Sequence, residues 1–198
     1  MSQVSQLVQN VGVPLWQHKR EFIAFCEWVK LQQFKSVLEI GTGYGGSAYV
    51  FGEVTGHGRV VSVDFDQQGA ARIDPRKRRR QPNPNFVQIT GDSRTDAVEA
   101  QIAAYAPFDL VYFDTEHAYE CAVDNYRRYV KYASKAVAQH DINMDVEAWA
   151  ARDQAQDWGG IVRAWAEFCQ GKFGEEFIDP ENDARFPRWG GIGVVFVR

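Results

Sequence analysis

Val37-Leu-Glu-Ile-Gly-Thr-Gly-Tyr-Gly-Gly-Ser47 decides the fold. Ser36 to Ile40 is a short apolar run that ends in glycines, the pattern of a buried parallel strand. Gly41, Gly43 and Gly46 then satisfy G-x-G-x-x-G, and Gly46 to Val54 predicts the helix that follows. Only glycine permits so tight a turn and so close an approach of a ligand to the backbone.

The same alternation continues outward. Arg59 to Asp64, Asn85 to Thr90, Phe108 to Asp114 and Ala136 to Ile142 read as further buried strands. Between them Asp96–Tyr105 and Glu116–Ala133 read as helices. Upstream, residues 15–30 predict an amphipathic helix with Phe22, Phe25, Cys26 and Val29 on one face, within a helical cap over 1–33. Downstream, Asp145–Gln156 predicts a helix in a lid over 143–160, and Ile161–Gln170 a second helix. Lys172–Asp179 and Gly191–Arg198 predict a closing antiparallel edge hairpin. The expectation is an α/β fold: one domain over 1–198, with a doubly wound, mostly parallel seven-stranded sheet.

Composition narrows the function. The chain has 198 residues, 45% hydrophobic and 24% charged, an ordinary globular balance. A net charge of −4 argues against global attraction to nucleic acid. No run of 18 apolar residues exists, so no membrane association is expected. Three scattered cysteines without a secretory leader point to a reduced, cytoplasmic compartment. A homo-oligomer is left open.

The glycine turn by itself does not choose among nucleotide-like ligands. Asp64, ending the second strand, can accept both ribose hydroxyls. Glu39 would repel a dinucleotide pyrophosphate but not a cationic sulfonium, so an NAD-linked oxidoreductase is disfavoured. These features resemble class I S-adenosylmethionine-dependent methyltransferases: residues 37–47 their first motif, Val60–Asp64 the second, and Thr90-Gly-Asp-Ser93 the loop after strand three. The resemblance implies S-adenosylmethionine as cofactor, held by Glu39, Gly41, Thr42, Gly43, Ser47, Asp64, Asp92, Ser93 and Asp114, with Asp92 accepting from the adenine amino group.

Phe108-Asp-Leu-Val-Tyr-Phe-Asp114-Thr-Glu-His117-Ala-Tyr-Glu120 is the second dense segment. Asp114 ends a central strand and should face the cleft; His117 follows in the first turn of the next helix. His140-Asp141 ends the fifth strand, with Asn143 close behind. Oxygen and imidazole donors converging there suit Mg²⁺, Mn²⁺ or a similar ion. Read blandly, Asp114 could instead cap the following helix and His117 be a solvated first-turn residue. Asp-x-x-His-x-Tyr-Glu, a strand ending in His-Asp, and the lead-in Gly12-Val-Pro-Leu-Trp-Gln17 resemble macrocin O-methyltransferase and the cephalosporin-hydroxylase-like methyltransferases. That resemblance implies methylation of a hydroxyl on a small molecule. A more distant resemblance to catechol O-methyltransferase implies, by position, a divalent ion at Asp114, His140 and Asp141, with His117 as base and Asp114 beside it in the catalytic pair.

Two rivals remain open. Arg76-Lys-Arg-Arg-Arg80 could hold RNA or a nucleotide, or be a solvated surface run. The fold could also serve as a cofactor-binding module without turnover. The absence of an Asn/Asp-Pro-Pro-Tyr motif after strand four counsels against methylation of a nucleobase amine.

Overall fold

A computed structural model describes residues 1–12, 14–65 and 83–197. The Arg76–Arg80 run lies outside the described residues.

The chain opens with α1 (Gln3–Gln9) and α2 (Lys19–Leu31). β1 (Ser36–Ile40) runs through the glycine turn into α3 (Gly46–Val54), and β2 (Arg59–Asp64) and β3 (Phe86–Thr90) follow. Next come α4 (Asp96–Ala103), β4 (Phe108–Phe113), α5 (Tyr119–Tyr129) and β5 (Ala133–His140). The last part holds α6 (Val146–Arg152), α7 (Gly160–Cys169), β6 (Gly174–Phe177), α8 (Pro180–Asp183) and β7 (Ile192–Phe196).

Seven strands form one sheet in the order β3-β2-β1-β4-β5-β7-β6. β3 through β5 are parallel; β7 runs against both β5 and β6. The doubly wound sheet and its C-terminal hairpin are as the sequence predicts.

Strand alternation sorts the core into two layers. Val37, Val60, Leu110, Tyr112 and Ala138 face α2 and α3, where Phe22, Phe25 and Phe51 pack. Leu38, Val61, Val111 and Val137 face the other way, onto Ile102, Tyr126 and Trp165. Phe25 is fully buried and meets the rings of Trp28, Phe51, Tyr112 and Phe177. Truncating such a ring to alanine costs about 3–5 kcal/mol.

Element ends depart from the sequence reading where a side chain is needed elsewhere. The amphipathic helix starts at Lys19, not at residue 15, and leaves 14–18 as an irregular lead-in. The helix expected from Glu116 starts at Tyr119 with Ala118 as its N-cap. His117 therefore sits in the loop between β4 and α5, not in the helix's first turn. Asp114 caps no helix, because α5 begins five residues later and its own carboxylate is engaged elsewhere.

Candidate active site

The cleft lies at the carboxyl ends of β1, β2 and β4, where an open parallel sheet presents its ligand site. Gly41 has φ +104°, and a Cβ there would stand 1.8 Å from the Asp114 carbonyl oxygen. Its missing side chain lets the end of β4 close against the turn. Gly43, in contrast, would meet no protein atom within 4 Å. Its backbone N–H donates to Asp64 Oδ2 at 2.7 Å.

Gly41, Gly43, Asp64, Ser93 and Asp114 line this cleft, together with Phe65, Gly91, Arg94, Cys121 and Asn125. Four other residues expected at the ligand are placed differently. Thr42 is buried, its hydroxyl 2.6 Å from that of Ser62. Glu39 is fully buried on the α3 side of β1 and accepts from the Ser62 hydroxyl. Burial lifts its carboxyl to about 8, against hydrogen bonds from Ser47 and Ser62. Ser47 is thus turned to Glu39, beneath the turn. A carboxyl lifted in this way holds its proton towards neutrality, turned inward to Ser62 and away from the cleft lining.

Asp92 is engaged by Arg94. Its Oδ1 accepts from the Arg94 backbone N–H at 2.9 Å and from Nε at 3.0 Å, and its Oδ2 from Nη2 at 3.1 Å. The Arg94 hydrogen bonds hold the Asp92 carboxyl below its ordinary range. Arg94 also stands over the Phe65 ring at 5.9 Å and donates to Cys121 Sγ at 3.0 Å. Ser93 Oγ donates to Asn125 Oδ1 at 2.9 Å.

Beyond Asp114 a row of polar side chains crosses the strand ends. Gln17 Nε2 donates to Asp114 Oδ2 at 2.5 Å. His140 Nδ1 lies 3.2 Å from both Asp114 Oδ1 and Asp141 Oδ2. Asp141 Oδ2 also lies 2.9 Å from His117 Nε2, and His117 Nδ1 lies 2.8 Å from Gln156 Nε2. Trp158 flanks the His117 ring at 4.9 Å and meets Trp149 at 5.2 Å.

Asp141 has φ +63°, a conformation uncommon outside glycine, which turns its carboxylate back onto the histidines. The loop after it is fixed by the Asn143 N–H on the Gly190 carbonyl, 2.9 Å. The Asn143 side chain points away, donating to Asp183 at 3.2 Å.

Charge follows from this packing. Burial alone would push the His140 imidazole down, but the Asp141 and Asp114 carboxylates together raise it well above its ordinary value. Burial opposes ionisation of Asp141 too, yet His140 and His117 hold its carboxyl well below the carboxylate range.

Ligand atoms of Asp114, His140 and Asp141 all fall within 4.8 Å of one another, and the buried Asp141 Oδ1 has no hydrogen-bond partner. Two carboxylates, one of them with an orphaned oxygen, and one imidazole fit a divalent ion with mixed nitrogen and oxygen preference; such an ion would take the place of the proton on His140 Nδ1.

Gln17, Gln156, Phe65, Cys121 and Asn125 are site residues that the sequence reading passed over. Phe65 directly follows the strand-end acid, and Cys121 and Asn125 stand one turn apart on α5. Gln17 closes the lead-in already singled out, but nothing in its spacing says that it folds back to β4.

Residues 38–142, more than half of the chain, match the family described as a methyltransferase domain. Among curated proteins, the protein-L-isoaspartate O-methyltransferase of Thermotoga maritima is 34% identical over 89 residues, which cover 44% of this chain and 26% of that protein. The chain thus spans about a quarter of that relative's length. Among solved structures it is similar to the O-methyltransferase from Bacillus cereus in complex with SAH. The TM-score is 0.70 at 16% identity, covering 100% of this chain and 92% of that one. It is also similar to the O-methyltransferase TomG from Streptomyces achromogenes, in complex with SAM and involved in tomaymycin synthesis. There the TM-score is 0.66 at 16% identity, covering 100% of this chain and 90% of that one. Identities this low carry the fold and nothing finer. Among the described residues no helix is long and apolar enough to cross a membrane.

Proposed function

The chain belongs to the methyltransferase-domain family, and on that premise we propose that it moves a methyl group from S-adenosylmethionine to a hydroxyl oxygen of a small molecule. One observation carries the reading: Asp114 belongs to both halves of the site. It lines the donor cleft, and its carboxylate opens the row that runs through His140 and Asp141 to His117.

In this reading the backbone at Gly41 and Gly43 receives the donor closely, and Asp64 accepts from ribose hydroxyls. When bound, S-adenosylmethionine would supply its sulfonium methyl to the acceptor oxygen, with S-adenosylhomocysteine as the other product. His117 takes the hydroxyl proton. Asp141 holds Nε2–H, so Nδ1 is the basic atom, and the acceptor hydroxyl takes the place that the Gln156 amide fills. Positioning supplies much of the remaining rate. Residues 143–160 act as the lid: Gln156 and Trp158 come from that segment onto His117. Asp114, His140 and Asp141 would hold a divalent ion, which would orient the hydroxyl and lower its pKa.

The test is methyl transfer from labelled S-adenosylmethionine to a panel of small hydroxyl acceptors, with amine and thiol analogues in parallel. Label on an oxygen that depends on His117 supports the reading. Transfer confined to nitrogen or sulfur, or none at all with any acceptor, overturns it.

A further inference from the structure

We propose that Gln17 is a positioning residue for the transfer step: its side-chain amide fixes the Asp114 carboxylate so that Oδ1 alone faces the His140–Asp141 row. The inference rests on the acceptor-side reading of Asp114 given above.

Gln17 is buried and belongs to the irregular lead-in ahead of α2. Two partners lock its amide. The Tyr112 hydroxyl, fully buried, donates to Gln17 Oε1 at 3.0 Å, and Gln17 Nε2 donates to Asp114 Oδ2 at 2.5 Å. The flipped amide would set its oxygen against a carboxylate, acceptor to acceptor, so one orientation is fixed. A buried tyrosine hydroxyl needs a partner, and here that need orients the amide. With Oδ2 held in this way, Oδ1 is left at 3.2 Å from His140 Nδ1.

The lead-in also rests on the donor turn. A Cβ on Gly46 would stand 2.5 Å from the Pro14 carbonyl oxygen, and Trp16 meets Tyr44 edge-on at 5.3 Å. The segment that carries Gln17 therefore bridges the glycine turn and the acceptor carboxylate. It is tied to the sheet by an N–H···O⁻ hydrogen bond of the charge-assisted kind.

The experiment combines crystal structures with a double-mutant cycle. Gln17→Met keeps the length and removes the donor; Gln17→Asn keeps the amide and withdraws it by one methylene. In crystals of each variant with S-adenosylhomocysteine, the Asp114 carboxylate is expected to rotate and Oδ1 to leave His140. In kinetics, each variant should lower kcat roughly 10- to 100-fold, the scale of a lost charge-assisted hydrogen bond. KM for S-adenosylmethionine should stay within about twofold. On an Asp114→Asn background the Gln17 change should add less than about twofold, because it acts through Asp114. An unmoved Asp114, or losses that simply add, overturns the assignment. A wild type without any methyl transfer overturns the proposed function instead, while the position of Asp114 in the crystals still judges Gln17.

Discussion

His117 Nε2 lies 2.9 Å from Asp141 Oδ2, a contact between the β4–α5 loop and the residue that directly follows β5. A carboxylate can only accept, so this pair puts the proton on Nε2 and the lone pair on Nδ1. That is the arrangement in which an acid fixes the tautomer of a histidine base. His117→Ala is therefore expected to slow methyl transfer by about 10²–10⁴-fold. A variant that keeps full turnover across neutral pH removes His117 from the role of base.

The same row carries the prediction for a divalent ion. Wild-type protein treated with a chelator should transfer at least about tenfold more slowly, since an ion that orients and acidifies a hydroxyl acts on the reacting atom itself. Added Mn²⁺ should restore wild type and leave Asp141→Ala slow. Rates that ignore the chelator exclude a working ion at Asp114, His140 and Asp141, and leave His140 as the cation between the two acids.

Gly41 and Gly43 should separate by readout. Gly41→Ala drives a Cβ into the Asp114 carbonyl from a backbone at φ +104°. Overpacking of this kind costs about 1–3 kcal/mol, which for a chain of this size lowers Tm by about 2–4 °C per kcal/mol. Gly43→Val meets no protein atom but places a β-branched residue at φ +49°, so it carries backbone strain alone, and its Tm should fall less than that of Gly41→Ala, which adds a Cβ 1.8 Å from the Asp114 carbonyl oxygen to a strained φ. Equal melting of the two variants contradicts the placement of the turn.

Glu39 gives the fold a pH signature. Its buried carboxyl is lifted from 4.5 to about 8 by burial, against the Ser47 and Ser62 hydrogen bonds. Between those values the folded protein keeps a proton that the unfolded chain has released. Stability from this group is therefore present below about 4.5 and is lost as pH rises through about 8. The slope is at most about 1.4 kcal/mol per pH unit. Denaturant midpoints measured from pH 5 to 8 should fall less steeply for Glu39→Gln than for wild type. Parallel curves would show that Glu39 does not hold its proton in the fold.

The sheet was legible in the sequence because its signals are local. Ser36–Ile40 and Arg59–Asp64 read as buried runs and form neighbouring parallel strands, and the glycines after β1 mark the turn. The histidines and acids at the ends of β4 and β5 were legible as a cluster for the same reason, since strand ends of a parallel sheet converge. What was not legible is long-range side-chain pairing. The Gln17–Asp114 bond spans 97 residues, and Gln17 lies in the irregular segment just ahead of α2, where the helix was expected to have begun. Asp92 reads as a strand-end acid, and its pairing through both oxygens with Arg94, two residues on, is not visible in the sequence. Glu39 reads as a strand-end charge, but strand parity turns it inward onto Ser62.

The central claim, a donor cleft at Gly41, Gly43 and Asp64 with the acceptor row on its far side, is tested most directly by calorimetric titration of S-adenosylhomocysteine. Wild type, Gly43→Val and His117→Ala are compared, with NAD titrated in parallel. Wild type and His117→Ala should bind the adenosyl ligand with affinities within about threefold, a difference under about 1 kcal/mol. Gly43→Val should fail to bind it, because its side chain fills the ligand's approach. Tighter binding of NAD, full affinity in Gly43→Val, or lost affinity in His117→Ala would contradict the account.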